Sequence, residues 1–319
     1  GYPYVYSGYE TLVKELAERL VGRKFEVVVY CHKNLFKNRP KFVKGVELVY
    51  VPTIETKSLS QLIHSFFSIS HACLSNADVI LVVNSANGPF GLITRLFRKP
   101  TAINVDGLEW LRPKWKGLGA SYFKWASKVA TKLYDQIIND SDEMQRVYLD
   151  LFEKESKVIA YGANIRFSTE PERISQWDLM PFEYYLIVGR LIPDNNSDLI
   201  IEGFIQSKSS RKLVIVGDVP YQDAFATKIK SIQDERLVFT GYVTDQSDLA
   251  ELYHNAYGYF HGHEFGGTNP TMLKALAYGS AILALNTPFN REMLQDVDYG
   301  KLFDKKAPEV TRIIALVEA

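Results

Sequence analysis

Cysteine is almost missing from this chain: Cys31 and Cys73 are the only two in 319 residues, and neither belongs to a CxxC pair. Two scattered thiols in so long a chain read as a protein of a reducing compartment, the cytoplasm. The Cys31-His32 pair raises the question of a metal, but Cys31 reads more simply as a core residue at a strand end. Neither sign of charge is in excess. Lys plus Arg and Asp plus Glu both number 37, for a net charge of zero. That balance argues against a general nucleic-acid binder, although charge can still gather in patches. No signal-peptide pattern and no apolar run of about 18 residues is found, so no membrane span is expected. No GxGxxG follows a candidate strand and no GxxxxGK[ST] occurs, which removes support from dinucleotide and P-loop readings.

What is there belongs to a globular protein. Hydrophobic residues make up 46% of the chain and no block is of low complexity. A length of 319 residues exceeds one ordinary core and fits two domains of about 150 residues each. Short apolar, β-branched runs alternate with amphipathic stretches. Strands are expected at 25–32, 46–53, 77–84, 101–106, 136–140 and 157–162, and in a second series at 184–190, 212–218, 237–243, 257–263 and 281–286. In YETLVKELAERLVG, Leu12, Val13, Leu16 and Leu20 share a helical face, with Gly22 as the expected stop. Strands apolar on both faces and separated by helices predict parallel sheets covered on both sides. The polar stretch 168–183, with two prolines and no periodicity, reads as a break. The fold class is therefore α/β: two doubly wound, Rossmann-like domains at about 1–168 and 183–319, with ligands expected beyond the carboxyl ends of the strands, in the cleft the domains face. The chain opens on a loop running into a helix and stops within a helical pattern at TRIIALVEA, so both ends are expected to be incomplete, with a first strand missing.

Four stretches carry candidate chemistry. In HGHEFGGTNPTMLKALAYG, Gly266 and Gly267 let a backbone approach a ligand closely, Thr268 or Asn269 can cap, and Pro270 suits the first helical position. The free amides and the helix dipole make a ready anion site; a tight turn with no ligand is the plain alternative. Arg190 directly follows the strand of YYLIVGR, where a guanidinium can fork onto a phosphate or simply form a surface ion pair. Gly8 in SGYETL precedes a helix. In INVDGLEW, Asp106 and Glu109 stand at a strand end, suited to sugar hydroxyls or proton transfer, or to capping the next turn. His261 and His263 alternate along a strand without a third ligand at metal spacing, so His263 reads as a polar lining group and no metal is expected. Lys124, Lys128 and Lys132 form a basic stripe amid Trp110, Trp115, Tyr122, Phe123 and Trp125. With the basic loop 31–44 this stripe can meet anionic headgroups, or be a solvated face over inward-packed aromatics.

Taken in order, these residues resemble the retaining glycosyltransferases of the GT-B fold, family 4, and within them a bacterial rhamnosyltransferase subgroup of polysaccharide biosynthesis. The matching motifs are SGYET (7–11), Asp106–Trp110 with Lys114-Trp115, Asp140-Ser141, Tyr161–Ala163, Val188–Asn196 and His261–Pro270. They run from residue 3 to about 300. The resemblance implies a nucleoside-diphosphate-sugar donor on the second domain, its diphosphate on Arg190, Gly266, Gly267 and Thr268 with the Gly8 loop closing over it. It implies a glycan or lipid-linked saccharide acceptor on the first domain, positioned or polarised by Asp106 and Glu109. Transfer would proceed with retention and without metal or other cofactor, with peripheral contact at the inner membrane face.

Two positions depart from the family pattern. Lys274 stands where a glutamate usually holds the donor ribose, and a lysine cannot accept those hydrogen bonds. Glu264 can substitute for it, or Lys274 can reach the diphosphate as a point charge. Asn195 fills the place of a phosphate-contacting lysine, as in the subgroup. A nucleotide-sugar epimerase on the same scaffold and a non-catalytic nucleotide-sugar binder remain as alternatives.

Overall fold

The computed structural model describes residues 2–3, 8–54, 60–113, 115–219 and 222–319. It divides into two compact units: Gly1–Trp110, Trp115–Asp140 and Gln145–Tyr161 in the first, Leu111–Lys114, Ser141–Met144 and Gly162–Ala319 in the second.

Unit 1 holds strands β1 (Val28–His32), β2 (Phe42–Val43), β3 (Val46–Val51), β4 (Ile80–Val83), β5 (Thr101–Val105), β6 (Gln136–Asn139) and β7 (Lys157–Val158). Its helices are α1 (Gly8–Gly22), α2 (Ser60–Leu74), α3 (Gly91–Leu96), α4 (Leu118–Leu133) and α5 (Asp142–Phe152). The expected single sheet is found as two: β1-β3-β2, with β2 antiparallel, and the parallel β4-β5-β6-β7. Among the described residues no strand pairing joins β1 to β4. The smaller sheet packs Cys31, Val46 and Leu48 against Ala17 of α1 and Phe36. Cys31 is a free, buried core thiol. α1 ends at Gly22, the expected stop, and a left-handed residue follows at Lys24, φ +68°.

Unit 2 is one six-stranded parallel sheet in the order β10-β9-β8-β11-β12-β13, formed by β8 (Tyr184–Val188), β9 (Lys212–Val216), β10 (Leu237–Gly241), β11 (Gly258–His261), β12 (Ile282–Leu285) and β13 (Gly300–Phe303). Its helices are α6 (Ser197–Gln206), α7 (Ala224–Lys230), α8 (Gln246–His254), α9 (Pro270–Ala277), α10 (Pro288–Met293) and α11 (Ala307–Val317). The two-residue side-chain period of a strand sorts β8 and β9 cleanly. Tyr185, Ile187, Leu213 and Ile215 enter one core with α6 and α11, while Tyr184, Leu186, Val214 and Val216 enter the other with α8 and α9. Both faces are covered, so these strands read as unbroken apolar runs. Short polar side chains start the helices: Asp223, Asp245, Asn269 and Thr287 each accept backbone N–H bonds from α7, α8, α9 and α10. Within the segment 168–183 a 3₁₀ turn at Pro171–Trp177 buries Ile174 in the α8 side of unit 2.

Candidate functional site

Strand order in unit 2 reverses between β8 and β11. Chains leaving these two neighbours run to opposite faces and open a crevice at their carboxyl ends. The loops on either side of that point carry Arg190 and residues 262–269.

Side chains and backbone bind the two loops together. Asn195 Nδ2 donates to the Arg190 carbonyl at 2.8 Å, and His263 Nδ1 faces Asn195 Oδ1 at 2.9 Å. The carbonyl-type oxygen accepts, so Nδ1 carries the proton. Asn196, left-handed at φ +49°, donates to the Gly262 carbonyl at 2.8 Å. The Glu264 amide donates to the Asp194 carbonyl at 3.1 Å. Glycine is obligatory at 262, because a Cβ there would overlap the Asn195 carbonyl. Burial, then the positive charge of Arg112, neighbouring His261 and Arg190, hold the His263 imidazole well below its usual pKa, so it is neutral. Arg190 itself is exposed.

The turn that follows is arranged as the residue types suggest. Gly266 takes φ +146°, and Gly266 and Gly267 are buried as backbone. Asn269, not Thr268, caps α9, accepting from the Thr271 amide at 3.0 Å. Lys274, one turn in, donates to Gln246 Oε1 of α8 at 3.2 Å. The Glu264 carboxylate meets Lys305 Nζ and accepts from Asn196 Nδ2 at 3.3 Å. Sequence reasoning missed Arg112, whose guanidinium donates to the Phe265 carbonyl at 3.2 Å and lies 3.7 Å from the buried Asp194 carboxylate. No local spacing signals that pairing, since Arg112 is 153 residues from Phe265 in sequence.

In unit 1, Asp106 follows β5 and is gripped from two sides. The Tyr9 hydroxyl, on the first turn of α1, donates to Asp106 Oδ1 in a short bond. The Tyr161 hydroxyl donates to Asp106 Oδ2 at 3.2 Å and lies 3.0 Å from Asn104 Oδ1, dividing one proton between them. Burial foremost, and then the Asp106 charge, raise both phenols well above their usual pKa, so both remain neutral donors. Glu109, in a 3₁₀ turn, accepts from Trp115 Nε1 at 3.1 Å. Asp140, at the end of β6, is fully buried. Gly8 begins α1, while Ser7 and Lys114 of the motifs lie outside the described residues. Tyr9 and Tyr161 sat inside the quoted motifs, but nothing in a one-dimensional pattern assigned them to Asp106. Among the described residues no group of three or more His, Cys, Asp or Glu is gathered as metal ligands.

The fold has counterparts in solved structures. HepE from Anabaena, crystallised with UDP-glucose, shares 17% identity over 98% of this chain and 86% of its own, at a TM-score of 0.75. Sucrose-phosphate synthase from Thermosynechococcus elongatus shares 16% over 98% and 85%, at 0.79. WaaG, a glycosyltransferase involved in lipopolysaccharide biosynthesis, shares 15% over 98% and 88%, at 0.71. Likeness at this identity establishes the fold, which is α/β of the GT-B kind with Rossmann-like units. No curated protein matches the chain. Residues 173–318 match the family model described as glycosyl transferases group 1, and residues 1–164, just over half of the chain, match the model described as domain of unknown function DUF1972. The chain thus belongs to the DUF1972 family, and its second unit carries a glycosyl transferases group 1 domain.

Proposed function

We propose that the protein is a retaining glycosyltransferase of family 4 that moves a sugar from a nucleoside-diphosphate-sugar to a glycan or lipid-linked saccharide, with rhamnose the sugar suggested by the subgroup motifs. One observation carries this reading. Arg190 and the 262–268 turn leave adjacent parallel strands at the reversal of strand order, tied together through Asn195 and His263. An exposed guanidinium beside glycine-lined backbone is suited to a diphosphate. The glycosyl transferases group 1 match over the same unit and the UDP-glucose complex of HepE support it. In unit 1, Asp106 and Glu109 serve the acceptor, Asp106 as the carboxylate that polarises its hydroxyl. Lys274, directed toward Gln246, has no carboxylate to offer a ribose, and Glu264, already meeting Lys305, stands in for it.

Thermal unfolding against a panel of nucleoside diphosphates tests donor binding. A nucleotide at a hundred times its dissociation constant adds about 2.7 kcal/mol. Chromatography of products from a panel of nucleotide sugars then separates transfer from epimerisation and from mere binding. Stabilisation by no nucleotide at all would refute the reading.

A lipid-linked acceptor fits a further feature of unit 1. Helices α2, α3 and α4 carry no Asp or Glu. Lys124, Trp125, Lys128 and Lys132 of α4 and Arg95 of α3 are exposed, and Arg95 Nε donates to the Leu133 carbonyl, so the two helices adjoin. We assign this face to the anionic surface of a membrane, without insertion; no helix among the described residues is long and apolar enough to cross one. Replacing Lys124, Lys128 and Lys132 by serine should cost about 1 kcal/mol each in binding to phosphatidylserine vesicles and nothing with neutral vesicles. Equal sedimentation of wild type and variant would refute it.

A further inference from the structure

Asp106 takes a phenol on each carboxylate oxygen, from two segments far from it in sequence: Tyr9 at a separation of 97 residues and Tyr161 at 55. Three elements meet there, namely the first turn of α1, the end of β5 and the segment after β7. We propose that Tyr9 and Tyr161 are positioning residues, a phenol clamp that fixes the Asp106 carboxylate in one orientation for the acceptor hydroxyl. This rests on the reading that Asp106 addresses the acceptor.

The chemistry favours a clamp over a simple packing contact. A carboxylate has about four acceptor positions, so two phenols orient the group and still leave capacity for a substrate hydroxyl. A phenol that stays protonated donates without cancelling the carboxylate charge. Glu109 lies near enough to act on Tyr9, Asp140 on Tyr161, and Tyr148 of α5 feels Asp106. Each phenol hydrogen bond favours the charged form of the carboxylate it donates to. Losing one phenol should therefore make Asp106 harder to ionise.

The test uses Tyr9→Phe and, separately, Tyr161→Phe, which keep the rings. In each, the acid limb of the pH profile of kcat/KM for the acceptor should move up by about one pH unit. The KM for the nucleotide sugar should stay constant, and the two changes combined should move the limb further. A loss equal at every pH, or no change, overturns the clamp. A second readout does not need activity. The Asp106 carboxyl carbon, labelled with ¹³C and assigned by its disappearance in Asp106→Asn, should titrate at higher pH in either phenylalanine variant. If the wild type transfers no sugar but this titration moves, the clamp stands and the transferase reading falls. If the titration does not move, the clamp is wrong whatever the activity.

Discussion

The strand-end sites of the two units are made of different material. In unit 2 the candidate donor site is largely backbone: the Gly262 and Asn195 peptides in direct contact, Gly266 at positive φ, and amides before α9, with Arg190 the one exposed cation set on the strand-end loop. In unit 1 the candidate acceptor site is side chains: Asp106 between two phenols, and Glu109 on an indole N–H. A site of peptides is set by the path of the chain, which under the proposed function suits the diphosphate that nucleotide-sugar donors share. A site of side chains can be retuned by single substitutions, which suits the more varied partner of the reaction.

This contrast can be broken or sharpened by substitution. The largest effect is expected at Asp106. Asp106→Asn should lower transfer by about 10²–10⁴-fold, the usual contribution of a positioned acid or base. Nucleotide-induced stabilisation should remain, and if binding fell together with rate, Asp106 would belong to the donor site instead. Gly262→Ala comes next. Its methyl group has no room beside the Asn195 carbonyl, so about 3 kcal/mol of stability should be lost, together with nucleotide binding. A folded variant that still binds would show the loop path to be less exacting than its geometry.

Arg190→Ala should leave thermal stability within about 0.5 kcal/mol, since the side chain is exposed. It should weaken nucleoside-diphosphate affinity roughly thirtyfold, about 2 kcal/mol for a charge-assisted contact; unchanged affinity in a calorimetric titration would separate Arg190 from the diphosphate. The smallest effect is one of pH. His261 is 3% exposed, and burial lowers its pKa to about 3. The unfolded chain, titrating near 6.5, then binds a proton that the folded one refuses. Stability from this residue is complete above about 6.5 and is lost as pH falls toward 3, at about 1.4 kcal/mol per pH unit. Between pH 6.5 and 5 that amounts to about 1.6 kcal/mol, since the unfolded imidazole is half protonated at the upper limit. The wild-type curve should therefore be steeper than that of His261→Gln by this amount in urea unfolding at the two pH values; parallel curves would contradict it.

The second unit was easier to read in the sequence than the first. β8 and β9 announce themselves because both faces of YYLIV and KLVIV are buried, leaving no polar alternation to confuse with another element. β13, GKLF, went unread because it is an edge strand with partly exposed residues and no apolar run. In unit 1 the two-residue β2 and the split of the sheet gave no signal at all, since a strand pairing depends on partners rather than on the residues of one segment. At the sites, the glycines of 266–267, Arg190 and Asp106 could be picked out because a glycine pair before a helix, or a charged residue after a strand, has local meaning.

From composition and pattern alone came the α/β class, the parallel strands and the residue types able to hold a diphosphate, all properties of segments shorter than a helix or two. The pairing of Tyr9 and Tyr161 with Asp106, of Arg112 with Asp194, and of Lys274 with Gln246 came only from the folded chain. Backbone periodicity acts over a few residues and leaves its mark in sequence. A hydrogen bond between side chains a hundred residues apart exists only once the sheet has carried their strands and helices to the same end.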